Sequence, residues 1–271
     1  MKVTFIGGGN MAAAMIGGLI AKGIVASNIQ AVDISPQSRE RLSSEFGIKT
    51  FADPMSSVQV SDILILAVKP QQMEEVAKSL RSIIRDQLII TIAAGIRTES
   101  LSRWFGGYQN IVRAMPNTPA LVRVGFTGLY AIPEVTNENK EIAQELLNAI
   151  GETLWFDREE QLDSVTALSG SGPAYVFYFL EAMEEAGRKM GLSEEASRKM
   201  SLQTFIGAAK LAQSSEDSSQ VLRQKVTSKG GTTERAINTM EQSEIKKQFI
   251  LAILAAEQRS KELGNELGAS N

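Results

Sequence analysis

The 271-residue sequence contains no cysteine and no histidine. The missing cysteine excludes a disulfide framework, a thiol nucleophile, an iron–sulfur cluster and a thiolate zinc site. The missing histidine excludes Ser-His-Asp and Cys-His chemistry and any imidazole base or metal ligand. A metal would need an all-oxygen cage, and none is expected. An enzyme built on this chain works without the usual proton shuttle, which a cofactor carrying its own reactivity allows most simply. Proline is scarce as well, and none of the seven lies beyond Pro173. Charge of one sign is also lacking: 28 Lys+Arg face 31 Asp+Glu, a formal −3. That leaves no electrostatic footprint for nucleic acid or an anionic membrane, and neither is expected as a partner.

What is present describes a folded chain. A hydrophobic fraction of 43% and a charged fraction of 22% are those of a globular protein with length for one large or two ordinary domains. One long uncharged run, Val3 to Ala21, raises the question of an export signal or membrane span. Gly7-Gly8-Gly9-Asn10 interrupts it, and five glycines in the run make a poor helix. The lack of cysteine fits a reducing compartment, so a cytoplasmic location is expected.

Up to about residue 160, short β-branched runs alternate with helical patterns. Val3–Ile6, Ile29–Val32, Ile63–Val68, Leu88–Ile92 and Ile111–Ala114 read as strands, nearly continuous apolar runs of the kind a sheet covered on both faces requires. Helices are expected at Asn10–Lys22, Pro36–Phe46, Gln71–Ile84 and Thr98–Phe105. Phe126–Ala131 and Thr153–Phe156, flanking a helix at Asn137–Ile150, extend the sheet. The alternation predicts an α/β fold, a Rossmann-type doubly wound sheet. Near Glu159–Leu162 the texture changes. Helices alone are readable beyond it, at Ala174–Met190, Glu194–Gln213, Ser219–Val226, Glu234–Glu241 and Ile245–Leu263. The expected division is a dinucleotide-binding domain over 1–160 and an all-helical substrate-binding and dimerisation domain over 161–271. Phe249 to Ala256 is apolar nearly all round, which demands burial on more than one side and favours a subunit interface.

Val3 to Ala12 reads as a strand entering a Gly-x-Gly-x-x-Ala turn and then a helix. Gly7 permits the tight turn, Gly9 lets a pyrophosphate approach the backbone, and Ala12 keeps helix and strand close; Asn10 and Met11 open the helix, whose N-terminus attracts the anion. Asp33 ends the second strand, where an acid can accept hydrogen bonds from ribose hydroxyls, favouring NADH. Ser35 and Arg39 follow at once and could hold a 2′-phosphate, favouring NADPH, so both cofactors stay open. Two further loops leave strand ends on the ligand-binding edge: Ala67-Val68-Lys69-Pro70 and Ala93-Ala94-Gly95. Met115-Pro116-Asn117-Thr118-Pro119 follows the next strand as a stiffened polar segment.

In the helical part, Ser228-Lys229-Gly230-Gly231-Thr232-Thr233 precedes a helix. It reads either as a helix connection with a threonine N-cap or as a carboxylate cradle of glycine N–H groups and threonine hydroxyls. It lacks the Gly-Lys-Ser/Thr of a nucleotide phosphate loop. Ser169-Gly170-Ser171-Gly172-Pro173 is no nucleophile elbow, for neither serine has glycine at both −2 and +2.

Taken in order, the fingerprint at 6–14, Ala67-Val68-Lys69-Pro70, Met115-Pro116-Asn117-Thr118-Pro119, Ser169-Gly170-Ser171-Gly172-Pro173-Ala174-Tyr175 and Gly230-Gly231-Thr232-Thr233 resemble the Δ1-pyrroline-5-carboxylate reductase family over essentially the whole chain. The resemblance implies reduction of a cyclic imine carboxylate to L-proline with NADPH or NADH, the last step of proline biosynthesis. It also implies a helical domain that dimerises by intertwining, with larger assemblies of dimers. Gly7, Gly9, Asn10, Met11 and Ala12 would then cradle the cofactor, with Ala67 to Pro70, Ala93 to Gly95 and Asn117 along its path. Ser228, Gly230, Gly231, Thr232 and Thr233 would bind the substrate, Thr233 donating to the ring nitrogen. Lys229 stands where the family commonly has proline, and Asp33 where members preferring NADPH often have a less acidic residue. Two rivals remain: a hydroxy-acid or other imine dehydrogenase of similar architecture, and a non-catalytic sensor of nicotinamide redox state. The first usually needs a helix lysine behind a glycine-rich motif, which neither Lys189 nor Lys210 has; the second leaves the glycine–threonine loop without a task.

Overall fold

The computed structural model of the chain describes residues 1–268. It forms two compact units, one of Met1–Ser171 with the C-terminal stretch from Ala256, the other of Gly172–Ala255.

The first unit is built on an eight-stranded sheet. Its strands are β1 (Val3–Ile6), β2 (Ile29–Val32), β3 (Lys49–Phe51), β4 (Ile63–Leu66), β5 (Leu88–Thr91), β6 (Ile111–Pro116), β7 (Gly125–Ala131) and β8 (Gly151–Trp155), in the order 3-2-1-4-5-6-7-8. All neighbours pair in parallel except β6 with β7. β1, β4 and β5 are buried along their whole length, because helices cover both faces and leave no polar side to alternate with. On one face α1 (Asn10–Ala21) buries Ala12, Met15, Ile16 and Leu19. Met73, Ala77 and Leu80 of α4 (Met73–Leu80) are buried at a spacing that puts all three on one stripe. α2 (Pro36–Phe46) is bounded by local chemistry: Ser35 accepts the Ser38 N–H, Pro36 opens the first turn, and Gly47 closes it at φ +66°. Val3 pairs with Ile29 on one side and Ile63 on the other. The chain therefore winds outward from β1 through β2 and β3, then crosses back to β4. This reversal opens a crevice at the C-terminal ends of the β1 and β4 strands.

The doubly wound sheet expected from the sequence is present, with adjusted ends. β4 stops at Leu66, two residues before the apolar run does, because the chain turns at Val68–Lys69 into a 3₁₀ turn over Pro70–Gln72. That turn takes the first two residues of the expected 71–84 helix, and a turn after Leu80 takes the last four, which leaves α4. β3 and the short α3 (Met55–Val58) escape the pattern reading, for three partly exposed edge residues carry almost no periodicity.

The second unit is all-helical as expected: α8 (Gly172–Lys189), α9 (Glu194–Gln213), α10 (Ser219–Lys225), α11 (Thr232–Gln242) and the start of α12 (Ile245–Gly268). α5 (Thr98–Trp104), α6 (Asn137–Leu147) and α7 (Gln161–Val165) belong to the first unit. Phe249 packs edge-on against Tyr175 and Phe179, ring centroids 5.7 and 5.4 Å away. Among the described residues 172–255, only Gly187, Ser197 and Ser201 are buried. No apolar side chain in this unit is shut away from water, while Phe177, Tyr178 and Met190 are 64%, 71% and 74% exposed. So many large apolar side chains left in water mark an interaction face.

Candidate active site

The two sequence motifs with binding character become two separate, similarly built places. Each is a helix start with no side-chain cap, preceded by glycine.

In the first unit the turn after β1 leads into α1 with Gly9 as N-cap and no capping side chain. The helical ladder starts with Ala13 donating to the Gly9 carbonyl, 3.0 Å, so the N–H groups of the first turn stay outside it. Gly7 and Gly9 are glycine for different reasons. Gly7 sits at φ +102°, and a Cβ there would stand 2.7 Å from the Ala67 carbonyl oxygen; the fold itself requires it. Gly9 has ordinary extended angles, φ −69° and ψ −175°, and a Cβ there would meet nothing within 4 Å. Open space over a bare helix start fits a pyrophosphate that must touch backbone N–H groups.

This start borders a cleft of about 380 Å³ lined by Gly7, Gly8, Gly9, Asp33, Ala67, Val68 and Lys69, and by Ile6, Val32 and Ile34 beside them. Its far wall is Gln72, Glu75, Val76, Ser79 and Leu80, with Ala52 and Pro54. The first group comes from the ends of β1, β2 and β4 around the point where the strand order reverses, and the far wall from the 3₁₀ turn, α4 and the segment after β3. Asp33 Oδ2 accepts the Gly8 N–H at 2.6 Å and Oδ1 the Ser35 N–H at 2.7 Å.

Other expected cofactor residues lie outside the lining. Asn10 Oδ1 accepts from Arg41 Nη1 at 3.1 Å, while Arg41 Nη2 donates to the Gly8 carbonyl at 2.8 Å. Met11 packs against the core and Ala12 is fully buried beneath the turn. Ser35 and Arg39 serve α2 and the Asp33 backbone. Pro70 begins the 3₁₀ turn behind Lys69. Ala93 is buried, Ala94 partly so, and Gly95, at φ +73°, faces Leu263 and Leu267 of α12. Asn117 is spent on the fold: its Oδ1 accepts the Phe126 N–H at 2.9 Å, and its Nδ2 donates to Ser169 Oγ at 3.0 Å. Ser169 lies in a π-helical turn over Thr166–Gly170, and a Cβ on Gly170 would stand 2.6 Å from Met115 Cε. Two motifs 52 residues apart are thus one packed junction.

The second place is the start of α11. Gly230 takes φ +73°, Gly231 is the N-cap without a side chain, and the ladder begins with Arg235 donating to Gly231. The N–H groups of Thr232, Thr233 and Glu234 precede it. Thr233 is half-buried, Ser228 and Thr232 exposed. Gly230 and Gly231 edge a depression of about 360 Å³ that runs along Glu234, Arg235, Asn238, Thr239 and Gln242. Glu234 Oε2 accepts the Gly230 N–H at 2.7 Å, which shows that this backbone takes a carboxylate oxygen.

Sequence reasoning overlooked Arg41, Glu234 and the α4 wall. Arg41 sits inside an amphipathic helix with no motif around it. Glu234, three residues after the N-cap, carries a recognisable first-turn acid signal.

Comparison with known proteins closes the identification. Residues 159–263 match the family model described as pyrroline-5-carboxylate reductase dimerisation, and residues 2–95 the one described as NADP oxidoreductase, coenzyme F420-dependent. The pyrroline-5-carboxylate reductase of Pseudomonas aeruginosa is 46% identical over 268 residues, 98% of both chains. A pyrroline-5-carboxylate reductase structure from Coxiella burnetii superposes with a TM-score of 0.91 at 41% identity, covering 97% of this chain and 98% of that one. The Plasmodium falciparum pyrroline carboxylate reductase with NADP bound gives 0.88 at 29% identity, with 97% and 98% covered. A dimerisation domain accounts for helices that bury no apolar side chain of their own. By full-length similarity and by fold, this chain belongs to the pyrroline-5-carboxylate reductase family.

Proposed function

We infer that the chain carries out its family's reaction, the reduction of Δ1-pyrroline-5-carboxylate to L-proline with NAD(P)H, closing proline biosynthesis. The observation that carries this reading is the pair of bare, uncapped helix starts, one beside Asp33 at Gly9 and one beside Thr233 at Gly231.

When bound, the reduced nicotinamide supplies the hydride. The chain's own residues bind and orient. The first-turn N–H groups of α1 and the open face of Gly9 hold the pyrophosphate, Asp33 the adenosine ribose, and Ala67 to Lys69 the wall alongside. The N–H groups of Thr232 and Thr233 receive the substrate carboxylate, with Ser228 beside them and Gly230 and Gly231 shaping the turn, their own N–H groups being held by Glu234 Oε2 at 2.7 Å and the Ser228 carbonyl at 3.0 Å. Among the described residues the Thr233 hydroxyl makes no hydrogen bond, so it is free to donate to the ring nitrogen. A threonine hydroxyl is too weak an acid to release its proton outright; it orients the ring, and as the nitrogen becomes basic during reduction the proton comes from solvent water, directly or passed through the hydroxyl, which regains its own. A substrate that enters as an iminium needs no general acid at all, in keeping with a chain without histidine.

The exposed apolar helices of residues 172–255 pair with those of a second copy, giving a homodimer, and dimers assemble further. A formal charge of −3 offers no electrostatic footprint for nucleic acid or an anionic bilayer, and a chain without cysteine fits the reducing cytoplasm, where we place the reaction; no described helix is long and apolar enough to cross a membrane.

The test follows cofactor absorbance with pyrroline-5-carboxylate added, with both cofactors, and identifies the product. Substrate-dependent oxidation with L-proline formed is expected. Cofactor binding without turnover would favour the redox sensor, and turnover only with a keto acid the hydroxy-acid dehydrogenase.

A further inference from the structure

We propose that the adenosine end of the cleft is shaped for a free ribose 2′-hydroxyl, so that this chain binds NADH more tightly than NADPH. The proposal rests on the assignment of the chain as an NAD(P)H-dependent imine reductase.

Sequence alone leaves an acid at Asp33 and two phosphate claimants, Ser35 and Arg39, in conflict. Side-chain geometry resolves it. The Asp33 carboxylate lines the cleft and is pinned at both oxygens, Oδ2 by the Gly8 N–H at 2.6 Å and Oδ1 by the Ser35 N–H at 2.7 Å. Swinging it aside would strand two backbone donors, one of them in the glycine turn that receives the cofactor. Each pinned oxygen keeps a lone pair for a ribose hydroxyl. A 2′-phosphate in the same place would meet a fixed negative charge.

The cations that could offset that repulsion are tied to backbone carbonyls and stand outside the cleft lining. Arg39 Nη1 donates to the carbonyls of Asp33 at 2.7 Å and Ile34 at 3.0 Å. Arg41 holds the Gly8 carbonyl and Asn10 Oδ1 at 2.8 and 3.1 Å. The Ser35 hydroxyl oxygen caps α2 by accepting the Ser38 N–H at 3.3 Å. None of the three lines the cleft, and among its described lining residues Lys69 is the only cation. Lys69 follows β4, and β1 lies between β4 and β2, which puts two strand spacings, about 10 Å, between the ends of β2 and β4.

The experiment compares dissociation constants of NADH and NADPH by nicotinamide fluorescence, and of 5′-AMP and 2′,5′-ADP by calorimetry, which needs no turnover. NADH should bind about tenfold tighter or more, with 5′-AMP and 2′,5′-ADP ranked the same way. Asp33→Ser should strengthen NADPH binding relative to NADH, and Arg39→Ala should leave the ratio unchanged. Equal or tighter binding of NADPH by the unaltered chain overturns the preference, as does an Arg39→Ala variant that loses NADPH alone. If neither dinucleotide binds, the NAD(P)H assignment falls and the preference with it. Preferential NADH binding without reduction of pyrroline-5-carboxylate overturns the assigned reaction and upholds the ribose-site geometry.

Discussion

Replacing Gly9 with alanine separates what the cofactor requires from what the fold requires. At Gly9 the backbone angles suit any residue, and the added methyl meets no atom within 4 Å. Two small opposed terms remain. Alanine is a poorer N-cap than glycine, which costs about 0.5–1 kcal/mol. It also restricts the unfolded chain, which stabilises by about 0.4–1 kcal/mol. Unfolding free energy from urea titration should therefore change by no more than about 0.5 kcal/mol. Binding should respond strongly, because the methyl stands between the pyrophosphate and the first-turn N–H groups. Losing one charge-assisted hydrogen bond of about 1.5–3 kcal/mol weakens NAD(P)H binding about 10- to 100-fold. Gly7→Ala is the control with the opposite signature. At φ +102°, with its Cβ 2.7 Å from a backbone oxygen, it should cost about 2–4 kcal/mol of stability. If Gly9→Ala binds cofactor normally, or destabilises as much as Gly7→Ala, then the bare face of Gly9 is not the ligand's approach.

Three further outcomes follow from named contacts. Arg113, 2% exposed, pairs with Glu159 at 2.9 Å, and Glu159 also accepts the Thr98 N–H and hydroxyl at the start of α5. Arg113→Leu should cost about 3–5 kcal/mol in urea titration by leaving a carboxylate uncompensated, and adding Glu159→Gln should recover part of that loss. Thr233→Ala should lower kcat with cofactor binding intact, whereas Thr233→Ser should retain much of the rate; unchanged turnover in Thr233→Ala would remove the hydroxyl from the mechanism. Burial pushes the Tyr108 hydroxyl up to about 12, and it donates to the Gln87 carbonyl at 2.5 Å. Since the folded state favours its neutral form, the stabilisation is whole below the unfolded value near 10 and disappears as pH rises through the folded one. The pH dependence of unfolding above 10 should therefore flatten in Tyr108→Phe.

Much of this molecule is local and hence legible. The apolar runs of β1, β4 and β5 announce a sheet buried on both faces, and Ser35-Pro36 with Gly47 marks both ends of α2. The glycine turn is readable because strand, turn and helix follow one another in ten residues. Elements with little periodicity escape: β3 has three residues, and α4 is trimmed at both ends by turns. Site residues far apart in sequence also escape. Nothing near Arg41 points to Gly8, and nothing near Asn117 points to Ser169, since each pair is joined only by the way the chain packs.

Composition and motifs by themselves determine that this chain borrows its reactivity, that it winds a parallel sheet before an all-helical part, and which family it joins. Tertiary structure alone decides what each residue of those motifs does. It separates Gly7, which the backbone of Ala67 forbids to carry a side chain, from Gly9, whose open face meets no atom of the fold within 4 Å. It shows Arg39 and Asn117 bracing the chain around them, and it pins Asp33 in the cleft. The physical reason is that a motif specifies which donors and acceptors exist, whereas packing specifies which of them are already satisfied and which remain to bind.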